Sequence, residues 1–144
     1  MPDPCTYDYA IVRVVPRVER GEFVNVGAIV SSDSHGYLAA RFAVDEARLR
    51  ALDAHVDLDA VRTALDAIGA VCSGGASAGA IGRLALRERF HWLVAPRSTM
   101  IQTSAVHTGR CDDLASALDR LVERMVRPPA PASPSPQPSP RSSP

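Results

Sequence analysis

Three short, largely apolar runs separated by turn-forming and charged residues constrain what the first third of this chain can become. Tyr7 to Val15 ends at Pro16 and is too short for an amphipathic helix, so it reads as a strand. Phe23 to Ser31 alternates in a period of two. Val24, Val26, Ala28 and Val30 are expected on one side, and Phe23, Asn25, Gly27 and Ile29 on the other. Asp33-Ser34-His35-Gly36 is turn chemistry, and Tyr37 to Ala43 completes an antiparallel meander.

The period then lengthens to that of a helix. Asp45 caps a short helix carrying Leu49 and Leu52, and Asp57 caps a longer one with Leu58, Val61, Leu65, Ile68 and Cys72 on one stripe. Residues 73–82, rich in glycine, lack the GK[ST] of a phosphate loop and read as a connection. Leu86, Phe90, Leu93 and Val94 predict a third helix that stops before Pro96, and residues 99–106 a fourth strand. Asp112 and Asp113 open a last helix whose Leu114, Ala117, Leu118, Leu121, Val122 and Met125 face the core, with Arg124 and Arg127 at its negative end. The fold class is α+β, an antiparallel sheet of about four strands packed on one face by about four helices.

After Arg127 the composition breaks into eight prolines and five serines in seventeen residues. Such a segment cannot bury enough apolar surface to offset its ordering entropy, so residues 128–144 are expected to be a disordered tail and residues 1–127 a single domain. No apolar run approaches the roughly 18 residues of a membrane span, and the start carries no basic flank or apolar segment of a secretory signal. The expected location is the cytoplasm, with no membrane association. Cys5, Cys72 and Cys111 form no CxxC spacing, and the default is reduced thiols.

The net charge is zero, and all 16 basic residues are arginine, a bias that fits a GC-rich coding background and dilutes the meaning of any one arginine. Residues 83–110 hold five Arg against one Glu, and residues 45–66 hold three Arg against six acids. The plain expectation is that these segments face each other. Without an overall positive field or a reading motif, sequence-specific nucleic-acid binding ranks last.

Within this frame a few polar residues are candidates for a site. Arg13 lies in an apolar strand and needs a carboxylate or a bound anion; a structural pair with Glu19 or Glu22 is the favoured reading. Arg17 belongs to a charged connection. Asn25 and Gly27 share a face of the second strand and, with Arg13, outline a small polar pocket. His91, His107 and Cys111 have ligand chemistry, but their spacing matches no zinc pattern, so neither a metal nor another cofactor is expected. Arg97 and Ser98 follow the third helix as an anion clasp, and Ser98 becomes a nucleophile only if His91 or His107 approaches it. If the two ends of the chain share a site, Arg13 and Asn25 lie in one cleft with Arg97 and His107.

The blocks Tyr9-Ala10-Ile11-Val12-Arg13-Val14-Val15-Pro16-Arg17-Val18-Glu19-Arg20-Gly21-Glu22-Phe23-Val24-Asn25-Val26-Gly27 and Glu88-Arg89-Phe90-His91-Trp92-Leu93-Val94-Ala95-Pro96-Arg97-Ser98-Thr99, with Val106-His107-Thr108-Gly109, resemble a bacterial family catalogued as domain of unknown function 3037. The resemblance covers about residues 6 to 126 and carries no catalytic assignment. It implies a HipA-like kinase as partner, because family members have a gene for one nearby. The expected function is therefore that of a small accessory protein binding a protein partner. The alternative is an enzyme or ligand-binding domain that uses Arg13, Asn25, Arg97, Ser98 and His107 on a phosphorylated or carboxylated small molecule.

Overall fold

A computed structural model describes residues 5–129. The expected tail lies outside the described residues apart from Pro128 and Pro129. Five strands form one antiparallel sheet: β1 (Cys5–Val14), β2 (Val24–Ser32), β3 (Tyr37–Phe42), β4 (Ile101–Thr103) and β5 (His107–Cys111). The order is β3-β2-β1-β4, and β5 also pairs with β1. β1 thus has β2 on one side, while β4 and β5 follow one another along its other side. The short connections from β1 to β2 and from β2 to β3 leave room only for reversals, which is why these strands run antiparallel.

The fourth strand, expected over 99–106, is the short β4, and a fifth strand, β5, follows beyond that run. Val12 pairs with Thr103 and Tyr9 with His107, so the outer chain fits one residue more than β1 does between those pairs. Ser104 holds the break together. Its N–H donates to the Ile11 carbonyl at 2.8 Å, and its Oγ accepts from the Ile11 N–H at 2.9 Å. A side-chain oxygen thereby takes the place of a missing carbonyl in the ladder.

Four helices complete the fold: α1 (Glu46–Leu52), α2 (Leu58–Ser73), α3 (Leu86–Val94) and α4 (Leu114–Leu121), the last continuing into a π-helical turn, Val122–Val126. Asp45, Asp57 and Asp113 accept hydrogen bonds from the backbone N–H of Arg48, Ala60 and Ser116, the capping geometry expected of aspartate. The helices cover both faces of the sheet, not one. Val12, Val14, Val24, Val26 and Ile29 pack with Leu49, Val61, Leu65, Phe90 and Leu93 of α1 to α3. Ile11, Ala28 and Val30 pack with Leu114, Ala117, Leu118, Val122 and Val126. Burying each such aliphatic side chain stabilises the fold by about 1.5–3 kcal/mol.

A bulge explains why β2 serves two cores. Val12 pairs with Gly27 and Arg13 with Asn25, so Val26 is an extra residue and the alternation changes phase there. Val24 and Val26 share the α1–α3 face with Ile29, whereas Ala28 and Val30 turn toward α4. The single apolar side read from strict alternation is thereby corrected.

Candidate functional site

The same bulge separates the two residues expected to share a polar pocket. Asn25 pairs with Arg13, but a Cβ at Gly27 would meet Phe42 at 2.3 Å and the Arg41 carbonyl at 2.6 Å. Gly27 is therefore the gap into which Phe42 packs, and no ligand space remains.

Arg13 has no carboxylate partner among the described residues. Glu19 pairs with Arg17, and Glu22 with Arg20. The Arg13 guanidinium instead lies over the Phe23 ring, 4.0 Å from its centroid, a cation–π contact. Its Nε is buried without a partner, and so is the Oδ1 of the facing Asn25. The Asn25 amide donates to the Met125 carbonyl at 2.9 Å, tying β2 to the π-helical turn.

Met125 also lines a cleft of about 390 Å³ between the sheet and α4, with Tyr7, Tyr9, Arg110, Ala117, Arg120, Leu121 and Arg124. Ala117, Arg120, Leu121 and Arg124 follow the spacing of one helix face. Tyr7 and Tyr9 stand two residues apart on β1, on one face, and their rings are 5.8 Å apart. Tyr7 has room because it faces Gly109, where a Cβ would meet its ring at 2.6 Å. His107 extends the aromatic row, its ring 5.4 Å from that of Tyr9.

The electrostatics of this cleft are one-sided. No carboxylate lines it, and Arg110, Arg120 and Arg124 enter none of the ion pairs among the described residues. The acids beside Arg120 and Arg124 in sequence are engaged elsewhere: Asp119 with Arg41 at 2.8 Å, and Glu123 with Arg127 at 3.0 Å. Arg120 and Arg124 are like charges four residues apart on a helix, a pairing that costs stability unless something negative sits between them. Burial holds the Tyr7 hydroxyl above the usual tyrosine range, with nearby Arg120 opposing, so at neutral pH it is an O–H donor. Guanidinium groups and a phenol around one cavity match the oxygens of phosphate or carboxylate.

The remaining candidates lie apart from this cleft. Arg97 sends its guanidinium to the carbonyls of Trp92 at 2.6 Å and Leu93 at 3.3 Å and lies over the Trp92 ring, 4.3 Å from the centroid. It caps the C-terminal end of α3, and it lines a small depression with Ile68, Leu93 and Ile101, on the α1–α3 side of the sheet. Arg13, Asn25 and His107 thus lie on the α4 side and Arg97 on the other. Arg17 is shared between Glu19 and Asp53, at 3.6 Å and 3.8 Å. His91 and Ser98 are exposed, and neither His91 nor His107 is hydrogen-bonded to Ser98 among the described residues. No group of three potential metal ligands occurs among the described residues.

The segments of opposite charge do not face each other through ion pairs. Glu46 is met by Arg50 and Arg62 from its own segment, and Asp53 by Arg17. Arg89, from the basic segment, caps α2 by donating to the carbonyls of Val71 and Cys72, both at 2.8 Å. Gly74, with φ of 75°, makes room for it, since a Cβ there would lie 2.8 Å from the guanidinium.

Fold and cleft together define an α+β protein with an arginine- and tyrosine-lined cavity on one side of an antiparallel sheet. Residues 9–126 match the family described as Protein of unknown function (DUF3037), and the chain belongs to that family. No curated protein and no solved structure matches it.

Proposed function

We propose that this protein is a binding domain that takes a phosphorylated or carboxylated ligand into the cleft between β1, β5 and α4. One observation carries the reading: Arg110, Arg120 and Arg124 line one cavity with no carboxylate to neutralise them. Arg120 and Arg124 are the principal anion contacts, Arg110 closes the cleft from the sheet edge, and Tyr7 donates a hydrogen bond. Tyr9 provides an aromatic wall, and His107 stacks beside it at the margin of the cleft. The donors and aromatic rings of the cleft support a role in binding, in the cytoplasm.

Thermal unfolding in pyrophosphate, nucleoside phosphates and citrate tests the reading. A wild type saturated at 100 times the dissociation constant gains about 2.7 kcal/mol. The variant combining Arg120→Ala and Arg124→Ala keeps its stability in the absence of anions and gains nothing in their presence. A wild type indifferent to every anion, or a variant stabilised equally, contradicts it.

The accessory-protein reading, with a HipA-like kinase as partner, comes second. The exposed large apolar side chains among the described residues, Val18, Phe23, Leu84, Trp92, Val106 and Met125, come from several parts of the chain, and arginines cover the rings of Phe23 and Trp92. Scattered apolar side chains of this kind are ordinary on a protein surface and favour no docking patch.

A further inference from the structure

Two of the three cysteines meet across the sheet, although they stand at opposite ends of the sequence. Cys5, at the start of β1, lies directly opposite Cys111, at the end of β5. Both side chains are buried, their sulfurs are 2.8 Å apart, and the Cys5 thiol also approaches the Cys111 carbonyl at 3.1 Å. Directly opposed residues of antiparallel strands have Cα atoms about 4.5–5.5 Å apart, inside the roughly 4.4–6.8 Å that a disulfide spans. The pairing brings the two sulfurs within 2.8 Å of one another.

Cys5 is reached from an open cleft beside it. Cys5 lines an open cleft of about 380 Å³ with His35, Tyr37 and Asp113, and Cys111 does not. Burial and the hydrogen bond with Cys5 push the Cys111 thiol up to about 11. Cys72 is buried among the α2 and α3 side chains, far from this pair in the other core.

We propose that Cys5 and Cys111 are a redox-active pair that a hydroperoxide converts into a cross-strand disulfide. In the first step the Cys5 sulfur attacks the O–O bond of hydrogen peroxide. One oxygen is transferred to give a sulfenic acid, and the other leaves as water. In the second step the Cys111 sulfur displaces that hydroxyl, the S–S bond forms, and a second water leaves with the Cys111 proton. Two thiols have lost two electrons in total, and one peroxide has gained them. The bond closes nearly the whole folded chain into a loop and fixes β5, the strand that carries Arg110, to β1. Closing so long a loop removes much of the freedom of the unfolded chain.

The test is oxidation of the folded full-length protein with hydrogen peroxide, followed by denaturation, alkylation and peptide mapping without reductant. The expected result is a mass loss of two hydrogen atoms, a linked peptide pair containing Cys5 and Cys111, and alkylation at Cys72 alone. The oxidised protein unfolds at a higher temperature than the reduced one, and a thiol reductant reverses both changes. In Cys111→Ser no link forms, and Cys5 is trapped by a sulfenic-acid reagent. Three alkylated cysteines in the oxidised wild type, a link involving Cys72, or links found only between molecules would overturn the proposal; these readings do not depend on whether the variant folds.

Discussion

At the scale of single residues, arginine is the side chain whose meaning context decides. Arg89 and Arg97 stand in a basic segment, and both prove to be caps that satisfy helix-end carbonyls. Arg97→Ala should therefore cost about 1 kcal/mol, the scale of a partly exposed charged hydrogen bond and a cation–π contact, and should leave anion binding unchanged. A loss of roughly 3–5 kcal/mol in chemical denaturation would instead indicate an abandoned buried carboxylate. In a chain whose every basic residue is arginine, residue type alone does not separate a cap from a ligand contact. Arg120 went unread and Arg124 was assigned to the negative end of the last helix; the unused signal is two like charges at i and i+4. Arg110, Tyr7 and Tyr9 were not legible as neighbours, because only the pairing of β5 with the far end of the chain brings them together. Cys72 permits a pH argument. Burial raises its thiol from 9.0 to about 12, outweighing the opposing influence of Arg89. Below pH 9 the thiol is protonated in both folded and unfolded states. Above it the unfolded chain releases the proton first, so stability falls by about 1.4 kcal/mol per pH unit until the folded group also titrates. Denaturation of Cys72→Ala should show a shallower alkaline decline than wild type by that amount; parallel declines would mean that the thiol is not shielded.

At the scale of elements, the helices were the most readable part, since their caps and apolar stripes are local properties. Asp45, Asp57 and Asp113 start α1, α2 and α4 as their sequences imply, and α3 ends before Pro96. The first three strands were legible as an antiparallel meander but not in phase, and β5 lies beyond the single further run that was expected. Strict alternation assigns Val24, Val26, Ala28 and Val30 to one face, and the bulge beside Gly27 divides them between two cores. A bulge depends on what the neighbouring strand requires, and no periodicity within β2 records it. The same applies to the break at Ser104, where a serine oxygen substitutes for the ladder. Gly27→Ala tests the bulge directly. The added methyl meets a backbone oxygen as well as the Phe42 ring, and the carbonyl cannot rotate away, so a loss of about 1–3 kcal/mol is expected from overpacking. Stability unchanged in a urea titration would show that β2 and β3 separate easily at this point.

At the scale of the whole molecule, the sheet acts as a partition. One face is closed by α1, α2 and α3 and holds Arg97; the other is covered by α4 and its π-helical turn and leaves the cleft beside them. The shared site expected from Arg13, Asn25, Arg97 and His107 divides along this partition. Arg13, Asn25 and His107 fall on the α4 side, with Asn25 bonded to Met125 at the cleft wall. Among the described residues no helix is long and apolar enough to cross a membrane. The side of the sheet to which a residue belongs is a property of topology, which is why composition and motifs pointed to a polar segment but not to the cavity. The central claim is that the cleft binds an anion through Arg110, Arg120 and Arg124. NMR observation of the arginine Nε–H signals during titration with pyrophosphate tests it most directly. The account predicts saturable shifts at these three arginines, with Arg97 and Arg89 unmoved at the same concentrations. Shifts confined to Arg97, or no saturable shift at any arginine with pyrophosphate, nucleoside phosphates or citrate, would contradict it.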